Sequence, residues 1–365
     1  MAHIFKHPTP EQKGIIVFTH KEIHFFHGLR ANRIQRLFFP KDYYAKYLDA
    51  IRQKYFCGIH FGWYSGYREI YNDFDFLMAT PSVLDLAGNT VQPMLIPFRS
   101  RNFIPEVFQP MPASQKYWDI ICVSNNNRKK NLAEFLRAIR HIYDAGYAYR
   151  VLLVSRVSKN EDKQGDKFYV ELEDDYQQLF NHDERDRFTL IRPAQTNDFI
   201  GLPQPTISFF YNSSKVFTLF SEVEGGPKVV SEALLCGLPI VASRKLVGGG
   251  LDYLNESNSH LFDKLDTAHQ ALIDAVENVE QFQVDIQGLR QDIGLEGALK
   301  QLKDYFSRLY QQNGQNFDGE LINTDRLHLR LPSHTRAGIP WATEGVTADI
   351  LSRQKFDIFL RHIAL

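Results

Sequence analysis

The sequence predicts an α/β protein with parallel sheets, and two strand-helix-strand units carry that prediction. In the first unit, an apolar strand at 119–124 precedes an amphipathic helix at 131–143 and a second strand at 149–154. In the second unit, residues 216–243 contain a strand, a Gly/Pro turn, a helix and a further strand in succession. A helix that connects two strands in this way is typical of a parallel sheet.

The first hundred residues are rich in aromatic side chains. Residues 13–20 are an apolar run that predicts a buried strand. Residues 42–56 predict a helix capped by Asp42, and its apolar side chains have helical spacing: Tyr44, Tyr47, Leu48 and Ile51. Residues 61–71 predict a surface loop leading into a short helix. For residues 21–39, which mix aromatic and basic side chains, two interpretations stay open: a loop and helix packed on the sheet, or part of an acceptor groove.

The remaining elements follow from the same periodicities. Residues 159–186 are highly charged, with an exposed excursion at Gln164-Gly165-Asp166. The other predicted elements are a polar helix at 168–180, a strand at 188–192, helical structure over 267–310, an irregular stretch at 311–340 and a tail helix at 348–363.

Composition is that of an ordinary globular protein. The 365 residues predict two domains, and 42 Lys+Arg against 43 Asp+Glu leave a net charge of −1, which offers no global attraction for nucleic acid. Cys57, Cys122 and Cys236 are interpreted as buried free thiols in a reducing compartment. No apolar run is long enough to span a bilayer, and the amino terminus lacks signal-peptide features. We therefore expect a cytoplasmic protein, with peripheral association at the inner face of the cell membrane left open.

The loop at 221–227 is the first candidate binding site. Ligands of parallel sheets bind beyond the carboxyl ends of the strands, where this loop lies. Gly225 and Gly226 allow backbone amides to approach a ligand, and the helix start behind them suits a phosphate. Glu224 and Glu232 would repel that phosphate unless other groups engage them, and sugar hydroxyls are natural donors to carboxylates. The predicted ligand joins phosphates to sugar rings.

This stretch resembles the signature of retaining, family 4 type glycosyltransferases of the GT-B fold, also called glycosyl transferases group 1. The match covers Glu224-Gly225-Gly226-Pro227 and runs from Glu232-Ala233 to Gly237-Leu238-Pro239. The resemblance implies two Rossmann-like lobes with parallel sheets facing a central cleft, and a C-terminal helix that crosses back to the first lobe. It also implies a helix at 206–214 before the strand of the stretch, and a short helix at 251–255 and a last strand at 260–263 after it.

The resemblance also implies roles for individual residues of the stretch. Glu232 would hold the ribose diol of a nucleotide sugar, and Glu224, which is expected to be catalytic, would contact hydroxyls of the transferred sugar. The diphosphate and the donor sugar would meet the backbone around four residues: Gly226, Pro227, Lys228 and Val229. The alternative interpretation is that Glu232 is a solvated helix residue and Glu224 is a loop charge.

Basic residues after the strand at 119–124 are candidates for stabilising the leaving diphosphate. Family members carry a Gly-Arg pair and, after four residues, a lysine followed by Gly or Asn. Lys130-Asn131 fits the lysine, whereas the pair falls on Ser124-Asn125, so the arginine is missing. Fixed cations lower the barrier when they face charge that develops in the transition state. Lys130 is therefore expected to be catalytic, with Arg128, Lys129 or Arg156 replacing the arginine; the alternative for 128–130 is a solvated charge run.

Two further residues are candidates for binding the donor. Arg192 is the last residue of the predicted strand at 188–192, and by the resemblance the end of this strand lies near the base pocket. A histidine of the first domain often touches the donor sugar in this family, and His20, at a strand end, is the best placed. No Cys/His spacing predicts a metal site, and no Ser/His/Asp arrangement or Walker-type loop is present.

The predicted domains follow from a weaker part of the resemblance. Residues 74–105 resemble the last strand and exit of the family's first domain, which places a linker near 105–116, where three prolines occur. The predicted division is residues 1–112 as an acceptor-side domain completed by 345–365, residues 113–315 as the nucleotide-sugar-binding domain, and residues 316–344 as an irregular connector. The first domain is shorter than is usual, and the family's Gly-rich acceptor loop is not visible.

The predicted function is a retaining hexosyltransferase. The donor is a nucleotide sugar, with UDP-glucose chosen as the commonest one, no metal cofactor is expected, and the acceptor is a carbohydrate or lipid-linked glycan in polysaccharide or glycolipid biosynthesis. Two alternatives stay open: a sugar-nucleotide epimerase or phosphorylase on the same fold, and a non-catalytic nucleotide-sugar-binding or assembly protein, which the short first domain and the missing arginine favour.

Overall fold

The computed structural model describes residues 3–19, 45–60, 73–79, 94–98, 101–112, 114–126, 128–156, 167–193 and 202–324, and single residues 327, 361 and 363. The chain divides into two compact units. Unit 1 comprises residues 1–103 and 295–365, and unit 2 comprises residues 104–294. Several predictions fall outside the described residues: those for 21–39, 61–71 and Gln164-Gly165-Asp166, for His20, and for the tail helix except at 361 and 363.

Unit 1 is built on a sheet whose five described strands lie side by side in chain order. They are β1 (His3–Lys6), β2 (Gly14–Thr19), β3 (Tyr55–His60), β4 (Phe76–Met78) and β5 (Met94–Ile96), with helix α1 (Ala45–Lys54) before β3. β1 is antiparallel to β2, and the other neighbours are parallel. The predicted strand at 13–20 is confirmed.

The helix predicted at 42–56 ends two residues earlier than predicted, because Tyr55 and Phe56 belong to β3 rather than to α1. Every residue of β3 is buried. A parallel strand that is buried on both faces shows no alternation of polar and apolar residues, so its first two aromatic side chains extended the apolar pattern of the preceding helix.

Unit 2 is built on a six-stranded parallel sheet. Its strands are β6 (Trp118–Asn125), β7 (Val151–Arg156), β8 (Phe188–Ile191), β9 (Ser214–Leu219), β11 (Ile240–Ser243) and β13 (Ser259–Phe262), with a separate short pair, β10 (Val223–Glu224) and β12 (Val247–Gly248). Its helices are α2 (Leu132–Asp144), α3 (Lys167–Leu179), α4 (His182–Arg185), α5 (Gln204–Asn212), α6 (Lys228–Leu235), α7 (Ala268–Glu277) and α8 (Ile286–Ile293). Both predicted strand-helix-strand units are confirmed, whereas residues 251–255 form a turn rather than a short helix.

The strand order in unit 2 is β13-β11-β9-β6-β7-β8. The chain starts at β6, adds β7 and β8 on one side, and then returns to add β9, β11 and β13 on the other. This is the doubly wound order, and the winding reverses between β6 and β9. Ligands of such sheets bind at that switch point, in the crevice formed by the loops after these two strands.

Apolar helix faces cover both sides of the unit 2 sheet. Phe135 and Ile139 of α2 and Leu272 of α7 pack on one side, and Leu234 of α6 and Ile293 of α8 pack on the other. Each is fully buried, which stabilises the fold by about 1.5–3 kcal/mol per side chain of this size. The three cysteines are buried free thiols, as predicted.

The chain returns to unit 1 with helix α9 (Leu295–Gln312). Phe306 packs against Phe5 and Phe76, with ring centroids 5.5 Å away in both cases, and Tyr310 lies 4.9 Å from Phe56. Residues 295–312 therefore complete the core of unit 1, and their predicted place in the second domain is corrected. Helical periodicity finds this helix but does not say which sheet covers its apolar face.

The predicted linker at 105–116 is also corrected, because this segment is packed within unit 2. The Ile104 N–H donates to the Ile293 carbonyl at 2.8 Å, and Phe108 is buried. The Asn212 side chain accepts from the Met111 N–H at 2.7 Å and donates to the Gln109 carbonyl at 2.9 Å. The segment turns at Pro105, where the Phe108 N–H donates to the Pro105 carbonyl. Ser208 of α5 donates to the Val107 carbonyl, and Arg290 of α8 donates to the Phe108 carbonyl.

The segment after α9 covers the edge of the unit 1 sheet. The Ile322 N–H donates to the Phe5 carbonyl at 2.7 Å, and the Asn323 amide donates to the Ile4 carbonyl at 3.0 Å. Lys6 forms an ion pair with Asp318. The free side of β1 is thereby protected from pairing with other chains. Within the described ranges, no helix combines the length and the apolar character that crossing a membrane requires.

Candidate functional site

Two loops meet at the switch point of unit 2. One follows β6 and contains a single 3-10 turn at Arg128–Lys130, and the other follows β9 and runs to the start of α6. The Glu222 N–H donates to the Lys129 carbonyl at 3.0 Å, and the Lys130 ammonium forms an ion pair with the Glu224 carboxylate. The structure thus brings together two predicted catalytic residues that are 94 positions apart in the chain.

Lys130 is the inward-facing member of its basic run. Its side chain is 16% exposed and that of Glu224 is 7% exposed, whereas Arg128 and Lys129 are exposed residues. A charge pair removed from water in this way interacts more strongly than a surface pair, but each ion also loses solvation. Arg128, the other predicted catalytic cation, lies in the same turn but is exposed.

Glu224 is held by main-chain contacts with β12. β10 and β12 pair in parallel, and the Gly249 N–H donates to the Glu224 carbonyl at 2.9 Å. Gly248 has φ +99°, and a β-carbon at this position would lie 1.9 Å from the Glu224 carbonyl oxygen. A glycine is therefore required at 248 both by the left-handed backbone and by the close approach.

The Gly/Pro turn leads directly into α6. Gly226 has φ +126°, which suits glycine, and Pro227 has φ −72° at the residue before the helix. Pro227, at the capping position, makes no side-chain hydrogen bond to the amino end of α6. The backbone around Lys228 and Val229 therefore presents the positive end of the helix dipole at the switch point. This arrangement suits a diphosphate.

Glu232 is a buried carboxylate one turn into α6. Its Oε1 lies 3.7 Å from the Lys228 ammonium, and its Oε2 accepts from the Tyr211 hydroxyl at 3.4 Å. Burial raises the pKa of Glu232, against the lowering effects of Lys228 and Tyr211, and burial lowers the pKa of Lys228. The interpretation of Glu232 as a solvated helix residue is therefore wrong.

The other predicted residues have contacts of their own or lie outside the described part of the chain. The Ser124 hydroxyl donates to the Asn125 carbonyl at 3.2 Å near the end of β6, and Arg156 pairs through its backbone with Asn125 at the end of β7. Arg192 follows β8 and forms an ion pair with Glu173. Gly225 lies in the turn itself, and His20 is outside the described residues.

The sequence analysis did not identify two residues that contribute to the site. Tyr211, at the end of α5, is fully buried and contacts Glu232, but no local pattern distinguishes it from any other core aromatic residue. Asn131 was noted only as part of the lysine motif, and its side chain contacts the loop after β9. Within the part of the chain that the structure covers, no three His, Cys, Asp or Glu side chains are grouped as metal ligands.

Part of the chain matches a known family. Residues 118–281 match the family model described as glycosyl transferases group 1. The matched stretch covers most of unit 2, from β6 past α7, and includes Lys130, Glu224 and Glu232. No curated protein matches the chain by sequence.

Solved structures share the fold at low sequence identity. Sucrose-phosphate synthase from Thermosynechococcus elongatus matches with a TM-score of 0.56 at 15% identity, over 72% of this chain and 70% of that one. An α,α-trehalose-phosphate synthase (UDP-forming) from Burkholderia xenovorans, in complex with glucose-6-phosphate, matches with 0.55 at 13%, over 72% and 70%. HepE from Anabaena, in complex with UDP and glucose, matches with 0.52 at 13%, over 72% and 75%.

Proposed function

We propose that this protein is a glycosyltransferase, and we propose a donor, a reaction and an acceptor class for it. Its residues 118–281 match the glycosyl transferases group 1 family model, and glycosyltransferase structures share its fold. The protein is a hexosyltransferase that moves a sugar from a UDP-sugar to an acceptor hydroxyl. The observation that carries the proposal is the buried pair of Lys130 and Glu224 beside the uncapped start of α6, at the switch point of the sheet.

The groups around the switch point match the parts of a nucleotide sugar. The backbone amides at the start of α6 and the Lys130 ammonium face the diphosphate. Glu224 accepts hydrogen bonds from hydroxyls of the transferred sugar, and Glu232 accepts from the ribose diol. The neighbouring structures described above include one titled as a complex with UDP and glucose, which supports a UDP-linked donor. Glucose is the sugar we propose.

The proposed reaction exchanges one bond at the anomeric carbon. The bond from this carbon to the leaving phosphate oxygen breaks, and a bond to the acceptor oxygen forms on the same face, so that configuration is retained. The acceptor proton passes to the leaving phosphate oxygen. Negative charge grows on the diphosphate as its bond breaks, and Lys130 with the α6 amides stabilises that charge more than the ground state. We propose that these groups act without a metal ion.

The acceptor is proposed to be a carbohydrate or a lipid-linked glycan, in polysaccharide or glycolipid biosynthesis. Sugar-phosphate acceptors are also consistent with two of the neighbours, whose names are those of sugar-phosphate synthases. The proposed location is the cytoplasm, including the inner face of the cell membrane.

A donor screen tests the proposal. Purified protein is incubated with UDP-, GDP- and ADP-sugars and a panel of saccharide acceptors, nucleotide release is measured, and NMR gives the anomeric configuration of the product. We expect UDP release that requires an acceptor. Lys130→Met and Glu224→Gln should each lower turnover by about 100-fold or more, since each removes a group that acts on developing charge or on the sugar. Arg137→Met, at an exposed pair on α2, is the matched control.

Three outcomes would contradict the proposal in different ways. Binding of UDP-sugars without turnover would favour the non-catalytic assembly protein. Turnover that needs free phosphate, or that changes the donor sugar without transfer, would favour the phosphorylase or epimerase. Full activity in folded Lys130→Met, verified by its melting temperature, would remove the proposed role of the ion pair.

A further inference from the structure

Asn131 has a backbone conformation that few residues adopt. It lies between Lys130 and the first residue of α2, with φ 51° and ψ 40°, in the left-handed region. Asparagine and glycine tolerate this region better than other residues. The Asn131 side chain does not cap α2, although it stands at the capping position. Its amide is therefore used elsewhere.

The Asn131 amide joins the two loops of the site. Its nitrogen donates to the Phe220 carbonyl at 3.2 Å and to the Glu222 carboxylate at 3.2 Å. Both partners are acceptors, so the nitrogen rather than the oxygen must face them. Next to this contact, the Glu222 N–H donates to the Lys129 carbonyl at 3.0 Å. Residues on both sides of Lys130 thus bond to the residues that precede Glu224.

The loop is held from its other side as well. The Val247 N–H donates to the Glu222 carbonyl at 2.8 Å, and the Gly249 N–H donates to the Glu224 carbonyl at 2.9 Å. Phe220, at the base of the loop, is buried with its ring centroid 5.5 Å from that of Phe135 on α2. Hydrogen bonds therefore hold the segment 220–224 on two sides: Asn131 bonds to it on the side of β6, and Val247 and Gly249 bond to it on the side of β12.

We propose that Asn131 is a positioning residue for Lys130 and Glu224, an inference that rests on the function proposed above. Its left-handed backbone turns the chain so that Lys130 points inward while Arg128 and Lys129 are exposed. Its amide sets the register between the two loops. Asn131 acts through the ion pair and touches no substrate atom, so its loss should lower kcat more than it changes KM for the donor.

A double-mutant cycle at Asn131 and Glu222 tests this role. Asn131→Asp keeps the size of the side chain and its tolerance of the left-handed backbone, but it presents an oxygen to the Phe220 carbonyl and a negative charge to Glu222. We expect kcat to fall by about 10-fold to 100-fold, as for small misplacements of catalytic groups, with a small change in KM. Adding Glu222→Gln removes the like charge and supplies a donor, so the double variant should recover most of the loss.

Three further variants complete the design. Asn131→Gly keeps the backbone conformation and deletes the amide, so it should lower kcat in the same direction without charge repulsion. Glu222→Gln alone keeps an acceptor for Asn131 and should lose little activity. Glu134→Gln, at a half-buried residue of α2 that pairs with Arg137, is the charge-matched control and should behave as the wild type.

Hydrogen exchange of backbone amides measures how firmly the loop is held, independently of enzymatic activity. The backbone amides of Glu222, Val247 and Gly249 donate the hydrogen bonds that hold the loop. They should exchange faster in Asn131→Asp than in the wild type, and their exchange rates should return towards the wild-type values in the double variant. If exchange follows this pattern while the wild type turns over no nucleotide sugar, the positioning role stands and the proposed function fails. If Asn131→Asp changes neither kcat nor exchange, or if Glu222→Gln restores neither, the positioning role is wrong.

Discussion

The individual residues that distinguish the switch point are two lysine–glutamate pairs. Lys130 pairs with Glu224, and Lys228 lies beside Glu232, with every side chain less than a quarter exposed. Buried ion pairs contribute little net stability because both ions lose solvation. Two of them around the start of one helix are therefore better explained by binding a charged ligand than by holding the fold together.

Under the proposed function, Glu232 should make donor binding depend on pH. Burial raises its pKa, so it takes up a proton at a higher pH than an ordinary glutamate does. If the ionised carboxylate accepts hydrogen bonds from the ribose diol, affinity for UDP-glucose should fall as pH is lowered through that raised pKa. Lys228 beside it has a pKa lowered by burial, so its loss of a proton acts separately, at the alkaline end. Calorimetric titration of UDP-glucose across pH measures this, and the diester diphosphate of this ligand does not itself titrate in the range.

The matched variant for this prediction is Glu232→Gln. It should bind the donor more weakly than the wild type at high pH, and the ratio of the two affinities should approach one as the wild-type carboxyl becomes protonated. A ratio that stays the same at every pH would show that the charge of Glu232 does not contribute to donor binding.

At the scale of elements, the site depends on the short β10–β12 pair as much as on the main sheet. This pair fixes the backbone of Glu224 from one side through Gly248, and its geometry leaves no room for a β-carbon. The helices set the remaining positions, because α2 begins directly after Asn131 and α6 begins directly after Pro227.

Gly248→Ala should therefore damage catalysis as well as stability. Its new methyl group meets the Glu224 carbonyl, and its backbone must keep φ near +99°. We expect the melting temperature to fall and turnover to drop by about 100-fold, since the carboxylate is displaced. Steady-state UDP release and thermal melting measure the two effects.

Gly146→Ala is the control that introduces strain in a left-handed backbone without a steric contact. Gly146 has φ +89°, but no atom lies within 4 Å of the position that a β-carbon would take. Its replacement should cost about 1–2 kcal/mol of stability from the left-handed backbone alone and leave turnover unchanged. Equal losses of turnover in both variants would show that the contact with Glu224 is unimportant.

At the scale of the whole molecule, unit 2 is a continuous segment and unit 1 is not. The ends of unit 2 are adjacent, because Ile104 and Gly294 form a parallel bridge. Unit 1 needs α9 to cover its sheet, since the core of that unit includes fully buried side chains of the helix: Ala298, Leu302, Phe306 and Tyr310.

This division predicts different behaviour for two fragments. Residues 104–294 contain a complete core, so this fragment should fold cooperatively and bind UDP without catalysing transfer. Residues 1–294 keep unit 2 but lack α9, so unit 1 should expose apolar surface, bind a hydrophobic dye and be degraded first in limited proteolysis. Circular dichroism, calorimetry with UDP and mass spectrometry of the digests check these outcomes. A compact, protease-resistant unit 1 in the shorter chain would contradict the role of α9.

Most elements of unit 2 were predictable because their patterns are local. The helix at α2 has a clear apolar face, and the strands around it are short apolar runs bounded by polar loops. The prediction failed where two patterns merged, as at Tyr55 and Phe56, or where an element had no partner specified by its own sequence, as for α9. The linker was misplaced because prolines interrupt regular secondary structure equally in a free linker and in a packed segment.

The sequence by itself determined that Glu224, Glu232 and Lys130 are the residues to examine, since a helix start after a Gly/Pro turn and a lysine at a loop are local features. Only the tertiary structure decided that Lys130, and not Arg128 or Lys129, reaches Glu224, and that Asn131 and Gly248 hold the loop. These are contacts between segments about 90 and 24 residues apart in the chain, and contacts at such separations follow from strand order, which local periodicity does not encode.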